Sequence, residues 1–407
     1  MNRQEAEQLD QCDLLAGFRE KFNLPNGTIY LCGHSLGPML KTASCYVAEI
    51  MEQQWGQEAI CAWNNADWIN MPKRLGDKIS TLIGADADEV IVADSITANL
   101  FKLLMSGLKL RAGRNVILTD IDNFPADIYM AQAVADLFPD TQLIRCHRAD
   151  IPRFLNQKTA ILMLTHVDYR TSEIYDIREM TRLGHAAGAL VLFDLAHSVG
   201  VMPLELSDTN VDMAVGCGYK YLNGGPGAPA FIYVAKKHHD RMQSPLLGWM
   251  GHASPFDFGN EYVPAQGIKR FLCGTPPILS MCVLEEAVDM LLPIPLSDIH
   301  MKSQRLSNYL IKLICKKCPE LQIVSPINSR LRGSHVAITH SHAYGFKQAL
   351  SVEGIICDYR EPDLIRFGLS SLYVRYVDLY DTVISLEKII NKKSYQHPDF
   401  NVRAIVT

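Results

Sequence analysis

The sequence predicts an α/β protein with a mostly parallel seven-stranded sheet flanked by helices, followed by a smaller α+β domain. Two observations lead to this prediction. Short β-branched runs alternate with amphipathic stretches between residues 89 and 234, which is typical of strand–helix–strand units. From about residue 290 the pattern changes, because Pro293 and Pro295 interrupt the chain before a long amphipathic stretch.

Seven segments have the length and the apolar, β-branched residues of buried strands. These segments are residues 89–93, 115–119, 142–146, 160–165, 190–194, 212–216 and 230–234. Amphipathic helices are predicted between several of them, for example at 177–187, which ends at Gly188 just before the next strand. In a sheet of this kind, ligands bind at the carboxyl ends of the strands.

The remaining segments predict the smaller domain. It begins with a helix at 300–316 and continues with strands at 321–324 and 335–339, a helix at 344–353, strands flanking Arg366, and a helix at 378–391. The first fifty residues contain no strand of the central type, so we expect them to pack with this domain. The predicted division is an N-terminal segment at 1–50, a large domain at 51–290 and a small domain at 291–407.

Composition excludes several classes of function. Of the 407 residues 48% are hydrophobic and 20% are charged, which is ordinary for a globular protein, and the net charge of −5 makes nucleic acid an unlikely partner. No apolar run is long enough to span a membrane, and the polar, acidic N-terminus is not a secretory signal. The eleven cysteines are odd in number and scattered, which favours reduced thiols and a cytoplasmic location.

The most informative stretch places three reactive side chains after two predicted strands. Asp194 ends one apolar strand, His197 follows three residues later, and Lys220 comes just beyond the next strand. A lone lysine there is usually solvated. An acid and an amine at neighbouring strand ends are, however, what pyridoxal phosphate (PLP) requires: the amine forms the imine, and the carboxylate keeps the pyridine nitrogen protonated. The spacing therefore favours a PLP site.

A third segment supports this prediction. Residues 93–99 connect a strand to an apolar helix at 100–108 and carry small hydroxyl side chains. The start of a helix offers free backbone N–H groups and a favourable dipole to a phosphate. A simple helix cap by Ser95 or Asp94 is the alternative explanation, and both can hold together.

Nine short strings along the chain resemble those of kynureninases, PLP enzymes of the aspartate-aminotransferase fold type (fold type I). The strings lie at 31–37, 63–68, 122–127, 169–171, 194–198, 218–227, 248–252, 274–277 and 366–368. They occur in family order from about residue 28 to residue 380, and GYKYLNGGPG at 218–227 and GWMGH at 248–252 are the most specific. The resemblance implies hydrolysis of the Cβ–Cγ bond of L-kynurenine to anthranilate and L-alanine, a step of tryptophan catabolism.

The resemblance also implies a role for each matching residue. Lys220 is expected to carry PLP and move protons, Asp194 to pair with the pyridine nitrogen, and Tyr219 to donate or relay a proton. The other expected cofactor contacts are Ile96, Thr97, Phe124, Asp127, His197, Tyr219, Trp249 and Thr275. Trp249 and Thr275 would come from the neighbouring subunit, which implies a homodimer. Arg366 is expected to bind the substrate carboxylate, and Ser35, His34 and Trp63 to lie near its aromatic end.

The chain departs from the family pattern at several positions. Cys32 and His34 replace an acid and an amide, Asp168 stands where asparagine is expected, and Ser172 stands where glycine is expected. Ser371 occupies a usual proline. Trp63 and Thr275 resemble the bacterial form, which favours kynurenine over its 3-hydroxy derivative.

Other functions fit these residues less well. A cysteine desulfurase-like lyase needs a catalytic cysteine on a late loop, and Cys357 is the only late candidate, in what looks like a strand. An aminotransferase would not explain the string at 248–252. A non-catalytic PLP-binding relative is disfavoured because Lys220 and Arg366 are both present, and a nicotinamide dehydrogenase because no GxGxxG motif follows a suitable strand.

Overall fold

The computed structural model describes residues 2–403. Over these residues it has twelve α-helices: α1 Arg3–Gln11, α2 Ala43–Glu49, α3 Ala62–Asn65, α4 Met71–Ile83, α5 Ile96–Leu110, α6 Pro125–Asp136, α7 Ile151–Phe154, α8 Ile177–Ala186, α9 Ile278–Leu291, α10 Leu296–Lys317, α11 Ala343–Val352 and α12 Tyr376–Lys392. Several start and stop where local chemistry dictates. Asp176 caps α8 by accepting from the Glu179 N–H, and α4 ends at Gly84 in the left-handed conformation that glycine tolerates.

The same residues form fifteen strands. They are β1 Phe22–Asn23, β2 Ile29–Tyr30, β3 Met39–Leu40, β4 Val90–Val92, β5 Val116–Asp120, β6 Gln142–Cys146, β7 Thr159–Thr165, β8 Leu190–Asp194, β9 Met213–Cys217, β10 Ala230–Val234, β11 Gln322–Ile323, β12 His335–Thr339, β13 Ile355–Ile356, β14 Asp358–Arg360 and β15 Leu364–Gly368. All seven strands predicted for the large sheet are present, with ends that shift by at most one residue.

The large sheet has the strand order β4-β10-β9-β8-β7-β5-β6. Strands β6, β5, β7, β8 and β9 pair with one another in parallel, whereas β10 runs antiparallel to both β9 and β4. The predicted mostly parallel, helix-flanked sheet is therefore confirmed. Strands β7, β8 and β9 are buried at every residue, as expected when helices cover both faces of a sheet.

A second, antiparallel sheet has the order β11-β12-β15-β14. Arg366 lies in the middle of β15, so the prediction of strands on either side of it was wrong. The apolar residues around Arg366 form one continuous strand, because β12 and β14 hydrogen-bond to β15 on its two edges. Helix α10 begins at Leu296 instead of residue 300, immediately after Pro295, whose ring can precede a helix but not continue one.

The N-terminal segment makes its contacts with late elements of the chain. Strand β2 pairs in parallel with β13, and helix α1 packs on α12. The Asp10 carboxylate accepts from the backbone N–H groups of Tyr376 at 2.7 Å and Val377 at 3.0 Å, so a residue of α1 caps the start of α12. The boundaries at residues 50 and 290 stay predictions.

Two further findings bear on the cellular setting. Among the helices that the structure describes, none is both long and apolar enough to cross a membrane. All eleven cysteines have free thiols.

Candidate active site

A cavity of about 360 Å³ opens at the carboxyl ends of β4, β5, β7, β8 and β9. Parallel strands bring the residues that follow them to one edge of the sheet, where helix starts and loops surround a ligand. Eight of the predicted site residues line this cavity: Ile96, Thr97, Phe124, Asp127, Asp194, His197, Tyr219 and Lys220. The structure thus brings together residues that lie up to 124 positions apart in the chain.

Lys220 enters the cavity from the loop after β9, and Asp194 from the end of the neighbouring strand β8. The Lys220 Nζ lies 3.2 Å from the His197 Nε2. Burial lowers the pKa of His197 well below its usual value, and the Lys220 charge adds to this effect. His197 is therefore a neutral ring, and according to its tautomer the Nε2 either accepts a hydrogen bond from the amine or donates one to the His34 carbonyl.

Asp194 and Asp127 form a buried carboxyl pair. Burial raises the pKa of both side chains, and that of Asp127 rises far more because the Asp194 charge adds to the effect. The Lys220 ammonium and the Ala196 N–H, which donates to Asp194 Oδ1 at 2.7 Å, favour the ionised form of Asp194. Of the pair, Asp127 holds the proton and Asp194 the charge.

These acids fit the pyridine end of PLP. A pyridine nitrogen that must stay protonated needs a carboxylate that stays ionised in a buried site, and Asp194 provides one. The Asp127 Oδ1 is fully buried. Within residues 2–403 it has no hydrogen-bond partner other than the Asp194 carboxyl group, with which Asp127 shares a proton. Thr165, at the end of β7, donates to the other oxygen of Asp127 at 3.2 Å.

The opposite end of the cavity fits a phosphate. Helix α5 begins at Ile96, and Ser95 caps it by accepting from the Ala98 N–H at 3.3 Å. The first two residues of α5, Ile96 and Thr97, line the cavity, so their backbone N–H groups and the helix dipole face this end. Asp94, just before the cap, has a φ of 48°. The sequence suggests either a simple helix cap or a helix start that can bind an anion, and the structure combines the two, because Ser95 caps a helix whose first residues line the cavity.

Between the two ends, Phe124 provides an aromatic wall. It precedes α6, whose first residue is Pro125, and its N–H is bound by the Asn123 side chain at 2.7 Å. The Lys220 Nζ lies 5.9 Å from the centre of the Phe124 ring, and the Phe124 and Tyr169 rings pack at nearly a right angle with their centres 5.2 Å apart. A flat ring bound to Lys220 would therefore lie within reach of the Phe124 face.

Arg366 lies behind Tyr169 and is 1% exposed. Its Nε and one terminal nitrogen donate to the two oxygens of Asp358, and the other terminal nitrogen donates to the Tyr169 carbonyl. The Ser35 hydroxyl lies 3.2 Å from the same guanidinium and also donates to Asp358. The arginine predicted to bind a substrate carboxylate is thus already held on one edge by an acid of the chain itself.

His34 does not line the cavity. Its ring is 0% exposed, stacks on His335 at 5.3 Å between ring centres, and lies close to the backbone of Gly368. The ring is therefore enclosed beside β15 and lies outside the cavity, and its predicted contact with the substrate stays a prediction. The His34 backbone carbonyl nevertheless reaches His197 Nε2 at 3.1 Å.

Cys32, His34 and Asp358 have potential metal-ligand atoms within 4.8 Å of one another. Their types would suit zinc. However, the Asp358 carboxylate already faces two guanidinium groups, those of Arg366 and, at 3.3 Å, Arg360. Burial raises the pKa of the Cys32 thiol to about 12. This cluster therefore opposes a further cation.

Besides His34, Ser35 and Arg366, three further predicted site residues do not line the cavity within this one chain. Trp63 packs edge-on against Trp68 with ring centres 5.9 Å apart. Trp249 is 37% exposed and meets Phe256, and Thr275 is exposed. Their predicted contacts with cofactor or substrate are not formed by the single chain.

Two departures from the family pattern have structural consequences. Ser172 has a φ of 68°, the left-handed conformation that favours glycine, so a serine there is strained by about 1 kcal/mol. Asp168, four residues earlier, offsets part of this strain. Its carboxylate accepts from the backbone N–H groups of Arg170 at 3.0 Å and Thr171 at 2.6 Å and so fixes the turn.

The sequence interpretation missed Thr165, Asp358 and His335. Thr165 ends β7 as Asp194 ends β8, so the signal that identified Asp194 would have found it too. Asp358 and His335 are more than one hundred residues later in the chain than every residue that lines the cavity, and they lie near the site only through Arg366 and its strand. Only the pairing of β14 and β12 with β15 brings them there, and that pairing leaves no local signal.

Comparisons with known proteins agree with this geometry. Residues 299–386 match the family described as the kynureninase C-terminal domain. The chain is 43% identical over 413 residues to a kynureninase of Burkholderia mallei (strain SAVP1), with 100% of this chain and 99% of the relative covered. It is 40% identical over 407 residues to a kynureninase of Pseudomonas fluorescens, with 98% of each covered.

Solved structures of other proteins share the fold. A cysteine desulfurase from Thermococcus onnurineus NA1 superimposes with a TM-score of 0.80 at 17% identity, over 92% of this chain and 98% of that one. The cystine lyase C-DES, in a mutant with glycine covalently linked to its PLP cofactor, has a TM-score of 0.80 at 18% identity, over 91% and 98%. At these identities the likeness establishes the PLP fold type I architecture alone.

Proposed function

The chain belongs to the kynureninase family, and on that premise we propose that it hydrolyses the Cβ–Cγ bond of L-kynurenine to anthranilate and L-alanine with PLP as its cofactor. The observation that carries the proposal is the pairing of Lys220 with the ionised Asp194 across one cavity, at the ends of adjacent strands. An amine and an ionised acid in that relation meet the two requirements of PLP.

The proposed cofactor site uses the cavity from end to end. Lys220 would bond the aldehyde, Asp194 would hold the pyridine N–H, and the first N–H groups of α5 would bind the phosphate. Phe124 would face the ring. PLP supplies a ring that withdraws electrons from the substrate's α-carbon.

Lys220, Tyr219 and His197 divide the proton transfers. The Lys220 Nζ would take the α-proton of the substrate, and neutral His197, whose Nε2 lies 3.2 Å away, would hold that amine in position. Burial raises the pKa of the Tyr219 phenol, so this group keeps its proton and could donate it to the β-carbon. Water would add to the γ-carbonyl, and when the Cβ–Cγ bond breaks the γ-carbon would leave as the carboxyl group of anthranilate and the β-carbon would receive the proton.

Arg366 would bind the α-carboxylate of the substrate. Asp358 occupies the edge formed by Nε and one terminal nitrogen, and the other terminal nitrogen donates to the carbonyl of Tyr169, a residue that lines the cavity, so a substrate carboxylate would approach the guanidinium beside Tyr169. A planar guanidinium fixed by one acid can bind a second carboxylate without losing rotamer entropy. Ser35, half-buried beside it, would lie near the bound substrate.

We also propose a homodimer in the cytoplasm. Trp249, Phe256 and Phe258 are 37%, 58% and 76% exposed in one chain, and such an apolar surface is typical of a subunit interface. This supports the proposal that Trp249 and Thr275 reach the cofactor of a second copy.

The eleven free thiols support a reducing compartment. We expect unsubstituted kynurenine to be the better substrate, on the evidence of Trp63 and Thr275.

A cysteine desulfurase activity is disfavoured although the fold is shared. Cys357 is 2% exposed and lies between β13 and β14, and burial raises its pKa well above the usual value. A nucleophilic cysteine requires an accessible thiolate, and Cys357 is neither accessible nor ionised. An aminotransferase and a non-catalytic PLP-binding relative remain alternatives that the following assay excludes or supports.

The test is anthranilate release from L-kynurenine, followed by fluorescence, with 3-hydroxykynurenine as a parallel substrate. We expect wild type to release anthranilate, Lys220→Ala to release none, and Lys158→Ala, an exposed lysine outside the site, to match wild type. A wild type that binds PLP and leaves both substrates intact would refute the proposed reaction. A Lys220→Ala variant that retains full activity would refute the role of the lysine.

A further inference from the structure

A buried ion pair lies beneath the phosphate end of the cavity. Lys102, in the second turn of α5, is 0% exposed, and its ammonium contacts the Asp94 carboxylate and the Phe271 carbonyl, the latter at 2.6 Å. Asp94 is different: its side chain is 32% exposed and lines the cavity. The pair therefore has one member inside the protein and one at the wall of the site.

The position of Asp94 poses an electrostatic problem. It directly precedes Ser95, Ile96 and Thr97, whose helix start faces the same end of the cavity. A free carboxylate there would repel a phosphate dianion. Lys102 brings one positive charge to the opposite side of that carboxylate, so the pair together is neutral toward the cavity.

The fold alone does not explain a lysine at this position. Lys102 is on the buried face of α5 with Leu103 and Leu104, where an apolar side chain would avoid the cost of removing an ammonium from water. The ammonium also joins two segments, because the Phe271 carbonyl and the Cys273 thiol, 3.5 Å from Asp94, both meet the pair. Thr275, a predicted phosphate contact of the neighbouring subunit, follows two residues later.

We propose that Lys102 is a positioning residue for phosphate binding. Its ammonium neutralises the Asp94 carboxylate, and it holds the loop at 94–97 against the segment that leads to Thr275. This inference rests on the proposed PLP site. It concerns the charge of the proposed phosphate-binding loop at 94–97, and not any residue that touches the cofactor's ring.

The charge argument predicts opposite effects for two single substitutions. Lys102→Met leaves the Asp94 charge facing the phosphate, so affinity for PLP and for inorganic phosphate should fall about ten- to thirtyfold. Asp94→Asn leaves the ammonium unbalanced, so affinity for inorganic phosphate should stay equal or rise. The double variant should return close to wild type. A lysine that only supported the fold would give losses in both single variants.

The experiment titrates the cofactor-depleted full-length protein with PLP and, separately, with inorganic phosphate, by isothermal calorimetry. Lys109→Met is the matched control, an exposed lysine in the last turn of the same helix, and it should bind as wild type does. Circular dichroism and the unfolding midpoint of each cofactor-free variant show whether it is folded. If Lys102→Met is unfolded, the Asp94→Asn and double variants still carry the test.

Two failures are distinguishable. If wild type binds no PLP, the proposed function is wrong. If wild type binds PLP and phosphate, but folded Lys102→Met binds both as tightly, or Asp94→Asn binds phosphate more weakly than wild type, the proposed function stands and the role of Lys102 is refuted.

Discussion

The buried histidines predict a marked loss of stability in mild acid. His34, His166, His197 and His335 are each at most 5% exposed. Burial lowers the pKa of His34 and of His166 to about 4, and lowers those of His197 and His335 well below their usual value. All four are neutral in the folded protein at neutral pH, because a charged imidazole there would lack solvent.

The sign and size of the effect follow from proton linkage. Each group binds a proton more readily when unfolded, so the stability it contributes is present above an unfolded pKa near ~6.5 and is lost as pH falls toward the folded value. For a pKa that drops from ~6.5 to ~4, the loss at about pH 5 is ~2 kcal/mol per imidazole. His34 and His166, whose pKa falls to about 4, together lose ~4 kcal/mol by this reasoning, and His197 and His335 add to the loss in the same direction. A loss of ~4 kcal/mol is a large part of the whole stability of a domain.

The free energy of unfolding in urea, measured at several values between about pH 7.5 and pH 5, tests this. His335→Phe keeps a flat ring against His34 but does not titrate, so it should lower the pH slope by about one proton, ~1.4 kcal/mol per pH unit. His397→Gln, at a side chain 58% exposed, is the control and should leave the slope unchanged. Equal slopes in wild type and His335→Phe would refute the reasoning.

Two other substitutions have clear expected outcomes. Asp358→Asn removes the charge that holds Arg366, and we expect KM for kynurenine to rise more than kcat falls, together with a loss of about 3 kcal/mol in stability; an unchanged KM would contradict the proposed fixing of the guanidinium. Gly37→Ala places a Cβ 2.4 Å from the Lys220 carbonyl and 2.5 Å from Asn223 Oδ1, so the loop carrying Lys220 must shift. We expect weaker PLP absorbance in a titration with the cofactor, and a loss of about 1–3 kcal/mol in the free energy of unfolding measured in urea. Normal PLP binding would contradict this prediction, because it would show that the loop can shift without disturbing Lys220.

Much of the fold was predictable because the sheet strands are buried on both faces. Such strands read as short, wholly apolar runs, and β8 and β10 were predicted to the residue. The strand order was not predictable, nor was the reversal of β10, which pairs antiparallel with β9 and β4. Direction and order depend on how helices pack after the strands form, and no pattern inside one strand records them.

The site was predictable where its residues follow strands. Asp194 and Lys220 stand in that position, and the cavity does contain them. The enclosure of His34 was not predictable for the opposite reason: this residue lies on a loop, and its burial depends on Gly368 of β15, more than three hundred residues later. The Lys102–Asp94 pair was missed because an inward-facing lysine in an apolar helix looks like a solvated side chain in the sequence.

Three ion pairs in and around the cavity share one electrostatic arrangement. Lys102 pairs with Asp94 at the proposed phosphate end, Lys220 faces Asp194 at the proposed ring end, and Arg366 pairs with Asp358 behind Tyr169. Each cation already faces an acid before a ligand brings its own charge, and the buried His197 and His335 nearby are neutral. A ligand charge at any end therefore meets a cation or acid that is fixed in place by its partner, in surroundings that screen it poorly. This explains why so many buried charges are retained although each pair is costly to bury, since apolar side chains would stabilise the fold and leave nothing to orient the reactants.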